Sequence, residues 1–330
     1  IIFLYLITFL AIGFFFKENK TSKDYFLGGR SVGWGPLTLS TMATQLSAIS
    51  FISAPAFVGL KSGGGMQWLT FEFGVPLAMA FLMIAIVPTL YKSGVVSVYE
   101  YLENRFDASS RLLISFVFQI SRSVATGVMI YTMALILQAT VGIDYWLSIL
   151  LIGIITLIYS FQGGMKAVIW GDVIQMIILF LGIVICLFFG LSELGGIEKF
   201  FELVDKERLE VVNFDKLGFS NISKNDEFGF WPMLIGGFFL YASYYGTDQT
   251  QSQRLLSSKN MDTIKKLLFA NAIFRFPITL TYCIMGLILG TLFYQDPSFQ
   301  AMIESVYTAN IGSLEGKKAD LMVPVFIIHY

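Results

Sequence analysis

Stretches almost free of polar side chains recur from one end of this sequence to the other. They cover residues 1–16, 36–60, 66–91, 112–141, 146–162, 168–191, 229–252 and 267–294, and a further one starts at Leu321. A run of about 18 or more apolar residues is long enough to cross the roughly 30 Å hydrocarbon core of a bilayer as a helix. The short alternating segments that mark membrane β-barrels are absent. The pattern predicts an all-α, polytopic helical membrane protein built as one transmembrane domain over 1–330: a helix at 1–16, a group of helices over 36–191, a link at 193–228 and a second group over 229–330. The link is acidic and mixed in charge. Its opening stretch, IEKFFELVDKERL, has helical periodicity and predicts a helix along the membrane surface.

Two of the apolar segments are interrupted. In 36–60, Thr41, Thr44, Gln45, Ser47, Ser50 and Ser53 stand where a lipid-facing helix carries Leu or Val. In 229–252, Gly246, Thr247, Asp248 and Gln249 do the same. A broken backbone at membrane depth is tolerated only beside protein or a water-filled cavity. Paired interruptions in corresponding positions point to an inverted-repeat transporter with its site near the midplane. The alternative for the first is a face of small residues for close helix packing.

Composition supports the membrane assignment: 55% of residues are hydrophobic and 14% charged, against about 25% charged in a soluble domain. A net charge of −1 makes no case for a nucleic-acid or acidic partner; the lipid bilayer and a small molecule are the partners implied. Cys186 and Cys283 lie inside apolar runs, and neither suggests a disulfide framework or a metal site. His329 is the only histidine, so a histidine metal centre or catalytic triad has nothing to build on, and paired acids at catalytic spacing are absent. No signal peptide is visible. The sequence starts and stops within apolar runs, and reads as a fragment. Basic residues crowd the first, third and seventh connections: Lys17, Lys20, Lys23 and Arg30; Lys92, Arg105 and Arg111; Arg254, Lys259, Lys265 and Lys266. By the positive-inside rule these are cytoplasmic, the N-terminus is outside, and the long sixth loop is extracellular or periplasmic.

Charges inside the spans carry the chemistry. Glu72 sits among apolar and aromatic residues, where an ionisable group usually faces a bundle interior or cavity. There it accepts hydrogen bonds from a solute or pairs with a cation; alternatively it sits near the headgroups, as Gln67 and Trp68 suggest. Arg122 and Arg275 are candidates to neutralise Glu72, Asp172 or Asp248, or to hold an anion. Arg275 is the deeper of the two and precedes Pro277, where a helix kinks. In GGMKAVIWGDVIQ, Gly163 and Gly164 end one helix, Lys166 falls in a short connection, and Asp172 and Gln175 share a face of the next helix. An acid there either serves the helix dipole or handles a cation.

GGMKAVIWGDVIQ also resembles the signature of the sodium:solute symporters. Three further stretches resemble that family, in the expected order: KTSKDYFLGGRSVGWGPLTLSTMATQLSAISFISAPA, SVYEYLENRFD and GTDQTQSQRLLSSKNM. The resemblance extends to its sodium/glucose cotransporter-like members and to bacterial sodium-coupled sugar and sialic acid symporters. It implies the inverted-repeat fold of the sodium-coupled leucine transporters with one extra N-terminal helix, the second repeat being incomplete here. It also implies Na+-driven import of a sugar or sialic-acid-like solute across the cell (inner) membrane. The alternatives are a carboxylate, vitamin or proline-like amino acid as solute, or a channel or sensor on the same bundle; an enzyme is not expected. By the same resemblance, backbone carbonyls at Ala43 and Leu46 bind sodium, with hydroxyl ligands on a later helix that the sequence stops short of. Asp172 matches a possible second sodium site, although Gly171 replaces the usual threonine before it. The solute contacts map to Gln45, Ser47, Ser50, Glu72, Asp248 and Gln249, and Arg275 falls where glucose cotransporters carry a lysine.

Overall fold

The structure is a computed structural model that describes residues 2–17, 21–212, 229–310 and 316–330. Those residues are almost wholly helical. The chain runs through α1 (Ile2–Phe15), α2 (Ser22–Leu27), α3 (Trp34–Gln45), α4 (Ala48–Gly59), a 3-10 helix (Met66–Phe73), α5 (Gly74–Phe81), a π-helical turn (Leu82–Ile86), α6 (Val87–Lys92), α7 (Val98–Arg105) and α8 (Ala108–Val141). It continues through α9 (Tyr145–Leu194), α10 (Ile197–Leu203), α11 (Phe230–Thr247), α12 (Gln249–Leu256), α13 (Met261–Gln295), α14 (Pro297–Ala309) and α15 (Met322–His329). Local signals set many of the starts. Thr21 and Asp24 form a reciprocal capping box on α2, and Asp107, Asp144 and Asn260 cap α8, α9 and α13.

Among the described residues four helices are long and apolar enough to cross a membrane, and the bent pair α3–α4 makes a fifth. The longest, α9, has 50 residues and would measure about 75 Å if straight. It is not straight. Gly164 has φ 57° and ψ −153°, a region almost confined to glycine. A Cβ added at Gly171 would lie 3.7 Å from the Tyr159 ring, and Phe9 of α1 packs on both positions. Twelve residues of continuous helix would set Tyr159 and Gly171 about 18 Å apart, so α9 folds back at Gly164 into two antiparallel limbs. The expected runs 146–162 and 168–191 are these limbs. One detail differs: Lys166 lies in the second limb rather than in a connection, its stem packed over Gly28.

The described core falls into two main parts. One joins α4, the second limb of α9, α13, α14 and α15; the other joins α3, α5, α11, α12 and the start of α13. Helix α8 presents Leu112, Phe116, Ile120, Val124 and Val128 outward, which suits lipid as apolar as the side chains themselves. Helix α10 forms where the periodicity of the 193–228 link places one, but buries Phe200 against the bundle. Residues 213–228 of that link lie outside the described residues. Arg208, in the same link, donates to the carbonyls of Val58, Lys61 and Gly64 at the end of α4. At the same rim Asp296 caps α14 and accepts the Tyr330 hydroxyl at 2.5 Å, which holds its carboxyl below the usual range.

Candidate functional site

Both interruptions expected from the sequence are real breaks. Helix α3 ends at Gln45, the backbone turns out of helical geometry at Leu46 (φ −87°, ψ 89°), and α4 leaves at a 60° bend. Ser47 caps α4 by accepting the Ser50 N–H at 3.3 Å. The Met42 carbonyl is taken by Leu46 N–H, and the Thr44 carbonyl accepts the Tyr244 hydroxyl at 3.4 Å. The carbonyls of Ala43 and Leu46 flank this break. The last carbonyls of any helix run out of donors four residues on, so an unwound turn here presents oxygen without fixed charge. The second break parts α11 from α12 at Asp248.

A cavity of about 640 Å³ adjoins the first break. Its walls come from α3–α4 (Gln45, Ser50, Ser53, Phe57), the 3-10 helix (Trp68, Phe71, Glu72), α11 (Leu240, Tyr241, Tyr244) and α13 (Arg275, Tyr282), with Lys61 at the far end of α4. Close backbone contact builds the wall. A Cβ on Gly237 would meet the Phe71 carbonyl at 2.4 Å, and one on Gly74 the Phe238 nitrogen at 2.4 Å. Nothing larger than glycine lets α11 lie so near the 3-10 helix. That approach lets the Tyr241 hydroxyl donate to Glu72 Oε1 at 2.9 Å. Arg275 Nε donates to Glu72 Oε2 at 3.2 Å, and its Nη2 lies 3.4 Å from the Tyr241 oxygen. Glu72 is 2% exposed and Arg275 7%. Burial of either charge alone is prohibitive; together, with the tyrosine, they form a neutral unit. Arg275 Nη1 has no acceptor among the described residues.

Of the expected solute contacts, Gln45, Ser50, Glu72 and Arg275 therefore share one cavity. Ser47, Asp248 and Gln249 do not line it. Ser47 is spent on its cap. Asp248 caps α12 and pairs with Arg122 of α8, and Gln249 Oε1 accepts the Val98 N–H at 3.0 Å. Arg122 thus answers Asp248, while Arg275 answers Glu72.

Asp172 lies in another cluster. Its Oδ2 accepts from Arg254 Nη2 at 2.5 Å and from Ser40 Oγ at 2.6 Å, and Arg254 Nε donates to Ser40 Oγ at 2.7 Å. Arg254 counts among the loop cations when the sequence alone is read. It is instead 7% exposed in the short helix α12. Arg254, Tyr241 and the buried Asn271 are functional-site neighbours that the sequence reading missed. The signal for Arg254 was present: the polar stretch after Asp248 holds Gln251 and Ser252, which bury with it.

The whole chain also matches known proteins. The profile of the sodium:solute symporter family fits residues 25–326. Sodium-coupled monocarboxylate transporter 2 of Danio rerio is 33% identical over 301 residues, 89% of this chain and 47% of that protein. The human sodium/iodide cotransporter is 30% identical over 288 residues, 87% of this chain and 43% of its own length. Among solved structures, a substrate-bound, outward-open Na+-coupled sialic acid symporter superposes with a TM-score of 0.83 at 26% identity, covering 99% of this chain and 69% of that one. The chain spans about half the length of the curated relatives it matches. With its broken helices, its cavity and a family profile that fits most of its length, the chain belongs to the sodium:solute symporter family.

Proposed function

We propose that the protein is a sodium-coupled secondary active symporter that imports a small organic solute by alternating access. The cavity beside the unwound turn of α3–α4 carries this reading. It puts solute-sized space and uncharged oxygen ligands side by side at membrane depth, where a broken helix has no structural benefit of its own. The solute occupies the space lined by Gln45, Ser50, Glu72 and Arg275. Sodium binds at the Ala43 and Leu46 carbonyls. Ser47, Asp248 and Gln249 act from behind, holding the two breaks in shape. A second ion at Asp172 requires Arg254 to withdraw, because that guanidinium now occupies the carboxylate.

In this reading the two broken segments belong to inverted repeats, 36–191 and 229–330. The protein sits in the cell (inner) membrane with its N-terminus outside and the Gly164 turn inside. The matched proteins support the sodium half: the monocarboxylate transporter, the iodide cotransporter and the sialic acid symporter share sodium in their names and differ in solute. Sialic-acid-like and simple carboxylate solutes fit that record, and a sugar-like solute is the further candidate. The test is uptake by the complete protein in liposomes, with a panel of sugars, sialic acid and carboxylates. Uptake of at least one solute must rise on imposing an inward sodium gradient; equal uptake with potassium in place of sodium overturns the reading.

A further inference from the structure

Among the described residues other than glycine, Arg30 is the one with a left-handed backbone, at φ 49°. It follows Gly28 and Gly29, also left-handed, in the turn that joins α2 to α3. Glycine enters that region freely, whereas a residue with a Cβ is disfavoured there roughly tenfold. Strain of this kind persists only where the surroundings over-determine it, and it clusters at elements that switch.

The surroundings of Arg30 are a closed triangle of three chain segments. Its guanidinium carbon lies 5.1 Å from the centre of the Tyr91 ring at the end of α6, within cation–π range, and its Nη2 lies 3.5 Å from the Val95 carbonyl. The Tyr91 hydroxyl donates at 3.2 Å to the carbonyl of Ser258, just beyond α12. Val32, two residues after Arg30, closes the triangle through an isolated parallel β-bridge to Ser258. The neighbouring turn is tied down as well: Gln253 Nε2 of α12 donates to the Phe26 carbonyl at 2.7 Å. Ser258 is fully buried. Arg254, four residues before it, is the cation seated on Asp172. Arg254 Nη1 donates to the Thr250 carbonyl at 2.6 Å, so the guanidinium is fixed to its own helix and moves with α12.

We infer that Arg30 and Tyr91 form a strained latch on α12. Closed, it pins Ser258 and so holds Arg254 on Asp172. When Arg30 relaxes out of the left-handed region, Ser258 is released and α12 is free to carry Arg254 away. Each joint is one weak contact, so the two states lie close in free energy, and the strain at Arg30 weighs against the closed one. Arg30 and Tyr91 are thus positioning residues for the Asp172–Arg254 pair. The latch goes beyond the symporter reading and does not depend on it, because its test reads side-chain access and stability rather than transport.

Ser258→Cys supplies a reporter: Ser258 is held through its backbone, and its hydroxyl has no partner among the described residues. In the purified complete protein a water-soluble maleimide modifies this thiol only while the latch is open, at a rate that follows the open population. Signal from protein without the reporter, whose Cys186 and Cys283 are buried, is subtracted. Arg30→Ala removes the Tyr91 contact and keeps the strain; it is expected to label about threefold or more faster than the reporter alone. Arg30→Gly removes both, and is expected to label about threefold or more slower than Arg30→Ala. A side chain that served only as packing would give the two variants one rate. Tyr91→Phe keeps the ring and drops the Ser258 bond. It too must label faster than the reporter alone, and it decides the test if Arg30→Ala does not fold. In Arg30→Ala the coupling between Asp172→Asn and Arg254→Gln in thermal unfolding is expected to shrink. Equal rates for Arg30→Ala and Arg30→Gly, no gain in rate over the reporter, or an undiminished coupling overturns the latch. This order of labelling without sodium-driven uptake contradicts only the symporter reading.

Discussion

At the scale of single residues, three buried or half-buried ion pairs organise the region around the breaks: Glu72–Arg275, Asp172–Arg254 and Asp248–Arg122. Removing one member of a buried pair strands the other and costs about 3–5 kcal/mol, whereas removing both is far milder. Glu72→Ala is therefore expected to lower the thermal unfolding temperature of the purified protein strongly, and Glu72→Met with Arg275→Met to recover much of the loss. For Asp172→Asn and Arg254→Gln, unfolding of the two single variants and the double variant should reveal coupling; strictly additive losses would show that the pair is not formed. Asp248→Asn keeps a capping oxygen but drops the charge. It is expected to cost stability through Arg122 and to leave solute half-saturation nearly unchanged, since Asp248 does not line the cavity. A large loss of solute affinity without a loss of stability would return Asp248 to the site.

At the scale of elements, glycine decides where helices touch. On α4 and α13, a Cβ at Gly59 would lie 2.2 Å from the Gly286 carbonyl, and one at Gly290 2.6 Å from the Gly59 Cα. Backbones this close are a recurrent device for packing helices in lipid, where hydrophobicity gives no drive. Gly59→Ala should therefore lower the unfolding temperature. Gly182→Ala, in α9 with nothing within 4 Å, should leave it level or raise it slightly, as alanine favours helix by about 1 kcal/mol. Equal effects would contradict the packing assigned to α4 and α13. The breaks at Leu46 and Asp248 and the reversal at Gly164 were legible in the sequence, because polar residues at membrane depth and paired glycines each announce a local event. The 3-10 and π-helical turns within 66–91 were not. Leu82 and Ile86 pack against Gly246, so their winding is set by a partner distant in sequence. The partners of Arg122, Arg254 and Arg275 were hidden for the same reason: a sequence shows which charges need answering, and packing decides which acid answers.

At the scale of the whole molecule, the Glu72–Arg275 pair makes the cavity neutral before anything binds. An anionic solute would then leave one negative charge in a low-dielectric interior, where opposite charges attract far more strongly than in water. In the proposed reading, sodium at the Ala43 and Leu46 carbonyls, next to Gln45, would supply the balance. Solute and ion should thus tighten each other by the same factor, and a sodium titration at several solute concentrations reads both halves of that cycle. The most direct test of the central claim is accumulation by the complete protein in liposomes under an inward sodium gradient of about tenfold, worth roughly 1.4 kcal/mol for each ion coupled. The internal solute concentration is expected to rise above the external one and to fall back when an ionophore collapses the gradient. Equilibration to the external level and no further, indifferent to the ionophore, would make the bundle a passive pathway and contradict it.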